Sequence, residues 1–327
     1  MFNVNEFNKA ILERDFNYSI LAEKIGLKER TLKDKIKDNG RFTIKEINAI
    51  QEALLLNMDE LNKIFFAWCW RDRREIAKMK IITVLNRKGG IGKTTTAQAL
   101  YEGLKKRGYR ILALDLDQQA NFTDSILKGK KPSYTVNDLL NNKDLSNLTA
   151  SNVIGATMEL TQLNLSELDI YALRDALKPL NKFYDLVIID TPPSINQLTI
   201  SALAFTNYLI LPSDIDKYSA KGINEILSNV VRKIKQDYNS ELVVSGVLIV
   251  KYNPRIILHN QLRGLLEKVA RAHNTKVFNT TIRESVAIRE ARTIDSELLS
   301  FNGGKSNAQR DYKAFIKEFI ESEKLWA

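Results

Sequence analysis

The stretch Asn86-Arg87-Lys88-Gly89-Gly90-Ile91-Gly92-Lys93-Thr94-Thr95-Thr96 follows directly on Ile81-Ile82-Thr83-Val84-Leu85. The earlier run is short and β-branched, as a buried parallel strand would be. A helical stretch follows from Thr94 to about Arg107, and Gly108 ends it. A loop in this position, with glycines at 89, 90 and 92, can turn its backbone N–H groups inward around phosphate oxygens. The helix that starts there adds the positive end of its dipole. In such a loop Lys93 reaches the β- and γ-phosphates of a nucleotide, and the Thr94 hydroxyl ligates Mg²⁺. A bare glycine turn would only join two elements. The Gly-Lys-Thr ending between strand and helix sets this one apart and makes Gly89, Gly90, Ile91, Gly92, Lys93, Thr94 and Thr95 the expected phosphate cradle.

Outward from the loop, apolar runs recur at Arg110–Asp115, Asp185–Asp190, Tyr208–Pro212 and Leu242–Val250, with helical stretches between them. This alternation predicts an α/β fold, a doubly wound, mostly parallel sheet of the P-loop type with helices on both faces. Right-handed crossovers bring the carboxyl ends of the strands to one edge, where ligands bind. Residues 128–180 are ambiguous, apart from a surface loop at Lys128-Gly129-Lys130-Lys131-Pro132. Four apolar residues carry Asp190 to a strand end, followed by Thr191-Pro192-Pro193-Ser194. There it can hold Mg²⁺ through water. An Asp after an apolar strand is common in α/β sheets and is weak by itself. Asp115-Leu116-Asp117-Gln118-Gln119 closes the preceding strand; alone, these would read as two solvated turn aspartates.

The loop departs from the ordinary phosphate-binding pattern. Arg87 stands where a glycine is usual, and Lys88 follows it. Lys-Gly-Gly-Ile-Gly-Lys-Thr-Thr resembles the deviant Walker A motif of the ParA/MinD group of ATPases. The order of deviant loop, Asp-x-Asp and Asp-Thr-Pro-Pro is similar to that of ParA/Soj-type partition ATPases, over about residues 80 to 320. The resemblance implies ATP and Mg²⁺ as cofactors, ATP-dependent homodimerisation, and slow hydrolysis stimulated by a ParB-like centromere-binding protein. It implies that Lys88 crosses the dimer to the partner's nucleotide. Asp117 would orient or deprotonate the attacking water, with Asp115 supporting Mg²⁺ or the loop geometry; Gln118 stands where the family usually has Pro. Asn253 and Pro254 match the place where these ATPases cover the adenine base, and Asp214, in Leu211–Asp216, would close its other side. A sequence-neutral surface for double-stranded DNA is also implied, and Arg283, Arg289 and Arg292 are the basic residues selected for it.

The region before the sheet reads as short helices without proline. Tyr18–Ile36 resembles a helix-turn-helix of the phage-repressor type. Ala22 sits at a close crossing and Gly26 at the turn, with Leu21, Ile25, Leu27, Leu32 and Ile36 as shared core. The second helix, about Lys28 to Lys37, would present Lys28, Arg30, Thr31 and Lys33, with Glu29 and Asp34, to the major groove. An ordinary helical hairpin with solvated charges is the plainer alternative. The expected organisation is therefore a helical DNA-binding domain over 1–66, a linker over 67–79 and the ATPase over 80–327.

A net charge of +10 suits a polyanionic partner, although lysine used for solubility has the same signature. One cysteine, Cys69, and two histidines argue against a disulfide framework, a zinc site or an iron–sulfur reductase. No apolar run approaches the length of a membrane span, and a cytoplasmic, nucleoid-associated bacterial protein is expected. The stripe Phe315, Ile316, Phe319, Ile320 could be a membrane-surface helix, but Glu318, Glu321 and Glu323 beside it favour packing on the core. An ATP/ADP-toggled transcriptional regulator, reading its own operator through the helix-turn-helix, is the competing function.

Overall fold

The computed structural model describes residues 2–37, 42–65, 79–141, 143, 145, 148, 152–162, 168–216, 218–294 and 296–325. The expected linker, Cys69 included, lies outside them except for Met79. The chain divides into two compact units, Met1–Lys78 and Met79–Ala327.

The first unit is helical: α1 (Val4–Leu12), α2 (Tyr18–Lys24), α3 (Glu29–Lys37), α4 (Ile44–Leu54) and α5 (Met58–Phe65). Each helix starts for a local reason where a cap is visible. Asn3 and Asn17 accept the amides of Glu6 and Ile20, and Thr43 with Glu46 forms a reciprocal capping box. Gly26, at φ 71°, supplies the left-handed residue between α2 and α3. Leu21, Ala22, Leu32 and Ile36 are buried, as the spacing predicts, while Ile25 and Leu27 are half-buried. Phe2, Phe7, Phe42 and Phe65 close this small core as a cluster with ring centroids 5.1–6.3 Å apart.

The second unit is built on a six-stranded parallel sheet in the order β3-β2-β4-β1-β5-β6. The strands are β1 (Lys80–Val84), β2 (Ile111–Asp115), β3 (Val153–Ile154), β4 (Leu186–Asp190), β5 (Tyr208–Ser213) and β6 (Val243–Ile249). Only β3 was not legible in advance. Side chains alternate across the sheet. Ile82, Val84 and Ile188 join the cluster under helices Lys93–Lys105 and Asn307–Glu323; Ile81, Val187 and Ile189 face the opposite cluster. Phe315, Ile316 and Phe319 are fully buried there, so the C-terminal apolar stripe is core. Gly103 lets this helix approach: a Cβ at that position would collide with Ile316. No helix among the described residues is long and apolar enough to cross a membrane.

Strands β1, β2 and β4 lie side by side in register. Their carboxyl ends therefore bring the loop at 86–92, Asp115 and Asp190 to one edge.

Candidate nucleotide site

The loop after β1 passes through Gly90 at φ 68° and Gly92 at φ 86° before the helix Lys93–Lys105 begins. Neither Gly89 nor Gly90 has a neighbour near the place of a missing Cβ, so the open side of the loop is left to a ligand. Asn86 braces the loop from behind. Its Oδ1 accepts the Lys88 amide at 2.9 Å, and its Nδ2 donates to the Pro212 carbonyl at 2.6 Å. Sequence reasoning gave Asn86 no role.

Lys93 is 6% exposed. Its Nζ donates to the Lys88 carbonyl at 3.3 Å, folded back into the loop. Burial pulls its pKa down, against the pull of Asp190 and Asp117 nearby. The Thr94 hydroxyl donates to Asp190 Oδ2 at 2.6 Å. Asp190 Oδ1 is buried and has no hydrogen-bond partner among the described residues. Burial first, and the Asp115 carboxylate second, push the Asp190 pKa well above the usual range. A buried carboxylate oxygen without a partner, beside a threonine hydroxyl at the mouth of a phosphate loop, fits a hydrated divalent cation.

Asp115 is fully buried and spends its oxygens on the next segment. Oδ1 accepts the Asp117 amide at 3.0 Å, and Oδ2 accepts the Thr123 amide and hydroxyl, both at 2.8 Å. Burial pushes its pKa up to about 6. Of the two roles implied by resemblance, these bonds match support of loop geometry, not a metal. Asp117 is half-buried, and its Oδ1 accepts the Gln119 amide at 3.0 Å. The turn it begins is closed by the Ala120 amide, which donates to the Asp117 carbonyl at 2.8 Å, with Ala120 in the left-handed conformation at φ 54°. Thr191 pins the next segment, donating to the Val84 carbonyl at 2.9 Å.

These pieces surround a cavity of about 1180 Å³. Gly89–Thr95 form its floor, Asp117–Gln119 one side and Pro192–Ser194 another. The remaining wall comes from Val250, Lys251, Ile282–Ser285, Ile288, Arg289 and Tyr312. Asn253, Pro254 and Asp214 do not line it. Asn253 and Pro254 are exposed, with Asn253 Oδ1 taken by the Arg255 amide, and Asp214 pairs with Lys88. The wall at 282–293 was missed because its residues carry no motif; the Ile282 amide on the Ile249 carbonyl and the parallel bridge between Tyr252 and Arg283 bring them alongside the β6 end.

The basic residues selected for DNA fare differently. Arg283 is committed within the chain: Nε and Nη2 donate to the two Asp311 carboxylate oxygens at 2.8 and 2.6 Å. Arg289 is exposed at the cavity rim, and the Arg292 side chain lies outside the described residues. Lys28, just before α3, and Arg30, Thr31 and Lys33 on it are all exposed, with Lys33 paired to Glu29 at 2.6 Å.

Residues 79–244 match the model of the AAA domain family. The chain is 34% identical over 227 residues to the chromosome-partitioning ATPase Soj of Thermus thermophilus, covering 66% of this chain and 85% of that one. It is 31% identical over 242 residues to the sporulation initiation inhibitor protein Soj of Bacillus subtilis, covering 70% and 94%. Among solved structures, cobyrinic acid a,c-diamide synthase of Mycobacterium smegmatis, with bound ADP and magnesium, superposes with a TM-score of 0.61 at 26% identity, covering 75% of this chain and 96% of that one. With half of the chain under one family model and its sheet edge arranged as described, the protein belongs to the ParA/Soj family of partition ATPases.

Proposed function

We propose that this ATPase uses Mg²⁺-ATP to switch between a single chain and a DNA-binding homodimer that partitions a plasmid or another mobile element. The observation that carries the reading is the placement of Lys88. It belongs to the phosphate loop, yet it does not line the cavity that the loop forms, whereas every loop residue from Gly89 to Thr95 does. A lysine conspicuously placed in such a loop and facing out of it is suited to a nucleotide held by a second copy. Within one chain, Lys93 swings from the Lys88 carbonyl to the β- and γ-phosphates. Thr94 and Asp190 would hold a magnesium ion, which would supply positive charge to offset that of the phosphates. Asp117, held by Asp115 through its amide, orients the attacking water. A ParB-like centromere-binding protein triggers turnover, and dissociation then releases the DNA.

Non-specific DNA binding rests on exposed cations, among which Arg289 is better placed than Arg283. The N-terminal unit serves as a separate, sequence-specific reader, with Lys28, Arg30, Thr31 and Lys33 meeting bases and phosphates. That exposed basic face favours a second reading, in which ATP and ADP merely toggle operator binding. Binding to a random-sequence duplex at fixed salt, with ATP, with ADP and without nucleotide, separates the two. Binding with ATP alone supports partition. Binding that is absent, or indifferent to nucleotide, removes bulk DNA as the target of the switch and leaves the operator reading.

A further inference from the structure

Lys88 is not idle in the single chain. Its Nζ lies 2.5 Å from Asp214 Oδ2 and 2.5 Å from Asp216 Oδ2, in a second hollow of about 410 Å³ beside the phosphate loop. The two carboxylates divide their oxygens. Asp214 Oδ1 lies 2.8 Å from the Ser219 hydroxyl, whose single hydrogen it shares with Asp216 Oδ1. Asp216 Oδ1 accepts the amides of Tyr218 and Ser219, each at 2.8 Å, and the Ser219 hydroxyl at 2.9 Å. Each Oδ1 thus builds the loop after β5, and each Oδ2 is left aimed at the lysine. The opposite side of the contact is fixed as well, because Asn86 ties the Lys88 amide to the Pro212 carbonyl. The pairing lowers the Asp216 pKa to about 2 and raises that of Lys88, so this ion pair is charged near neutral pH.

We infer that Asp214 and Asp216 form a clamp that holds Lys88 within its own chain until the nucleotide of a second copy competes for it, and so set the concentration at which the ATP-bound chain dimerises. This rests on the reading that Lys88 acts across the dimer. The polyphosphate of the partner is the stronger anion, but reaching it means breaking both ion pairs in each of two chains. An exposed pair contributes a factor of roughly 1.5 to 5. Four such pairs multiply to roughly fivefold at the least, which puts the expected effect on the dimer dissociation constant on the order of tenfold.

The test uses the full-length protein with Mg²⁺ and a saturating non-hydrolysable ATP analogue, and reads the dimer dissociation constant by analytical ultracentrifugation. Asp214→Asn/Asp216→Asn keeps an amide oxygen for every Oδ1 acceptor role and replaces the charged acceptor facing Lys88 with a neutral NH2 donor. It should dimerise about tenfold more tightly than the parent. Asp214→Asn alone leaves the backbone-binding Asp216 untouched and should shift the constant in the same direction by less, which covers the case of a misfolded double variant. Lys88→Ala should fail to dimerise; if it pairs like the parent, the cross-dimer role of Lys88 is wrong and the clamp goes with it. If Lys88→Ala fails while the asparagine variants pair no more tightly than the parent, or more weakly, the cross-dimer role stands and the clamp is overturned.

Discussion

Two lysines five positions apart in the phosphate loop live in opposite surroundings. Lys93 is 6% exposed, and burial lowers its pKa; the Lys88 side chain is 49% exposed, and two carboxylates raise its pKa. On the inner side, Lys93, Thr94, Asp115 and Asp190 crowd together, with one Asp190 oxygen unpartnered among the described residues. On the outer side, every charge of Lys88, Asp214 and Asp216 is met. The inner face is incomplete without a polyanion and a cation. The outer face is complete until a stronger anion arrives. On the proposed reading one loop separates binding from assembly, and substitutions on its two sides should fail in different ways.

The sharpest break of this contrast is Lys93→Ala. Removing the buried cation takes away charge-assisted contacts of about 1.5–3 kcal/mol each. ATP affinity, measured with a fluorescent analogue, should fall by about a hundredfold or more, and dimerisation with it. Near-normal affinity would mean that the inner face is not the phosphate site. Asp117→Ala comes next. General-base or water-positioning groups contribute roughly 10²–10⁴-fold. Turnover should drop by about that factor while ATP binding and dimerisation persist. Normal turnover would assign the water to another residue.

How legible each face was follows from how each is built. The cradle could be read because consecutive residues of fixed type supply it, and a strand and helix flank them. Asp190 could be read because β4 is apolar throughout and ends there. The partner of Lys88 could not: Asp214 and Asp216 lie at the end of β5, and only the β1–β5 pairing brings them near. Arg283 read as a candidate DNA contact because Asp311, its partner, is on the C-terminal helix and no local pattern links them. The cavity wall at 282–293 and Tyr312 has the same origin. Its residues converge through tertiary packing, and their types are ordinary. The short β3 was hidden because two residues carry no periodicity.

The reader role proposed for the N-terminal unit extends the contrast beyond the phosphate loop. Arg30→Ala should weaken binding to a specific operator by about 1–3 kcal/mol, the worth of a good base contact, roughly ten- to a hundredfold. ATP-dependent binding to random duplex should be unchanged in the same protein. Equal loss on both DNAs would show that α3 is not a separate reader.

The smallest effect probes the incompleteness of the inner face directly. A buried Asp whose pKa is raised in the fold prefers to be uncharged there. Its contribution to stability is present below the unfolded value, about 3.9, and is lost as pH rises toward the folded value. Asp115, pushed up to about 6, acts in the same sense between about pH 4 and 6. Nucleotide-free protein at neutral pH therefore carries a penalty at Asp190 that an uncharged isostere removes. Asp190→Asn keeps an oxygen for the Thr94 hydroxyl and should raise the melting temperature at pH 7.5, without Mg²⁺ or nucleotide, by about 2–4 °C, corresponding to about 1 kcal/mol. The gain should shrink as pH falls, because the upward shift leaves the native carboxyl increasingly protonated. Mg²⁺-dependent hydrolysis should be lost in the same variant, because the charge that destabilises the empty site is the one the cation requires. A melting temperature that falls at pH 7.5 would mean that the Asp190 carboxylate is already compensated in the empty chain, and the inner face would then resemble the outer one.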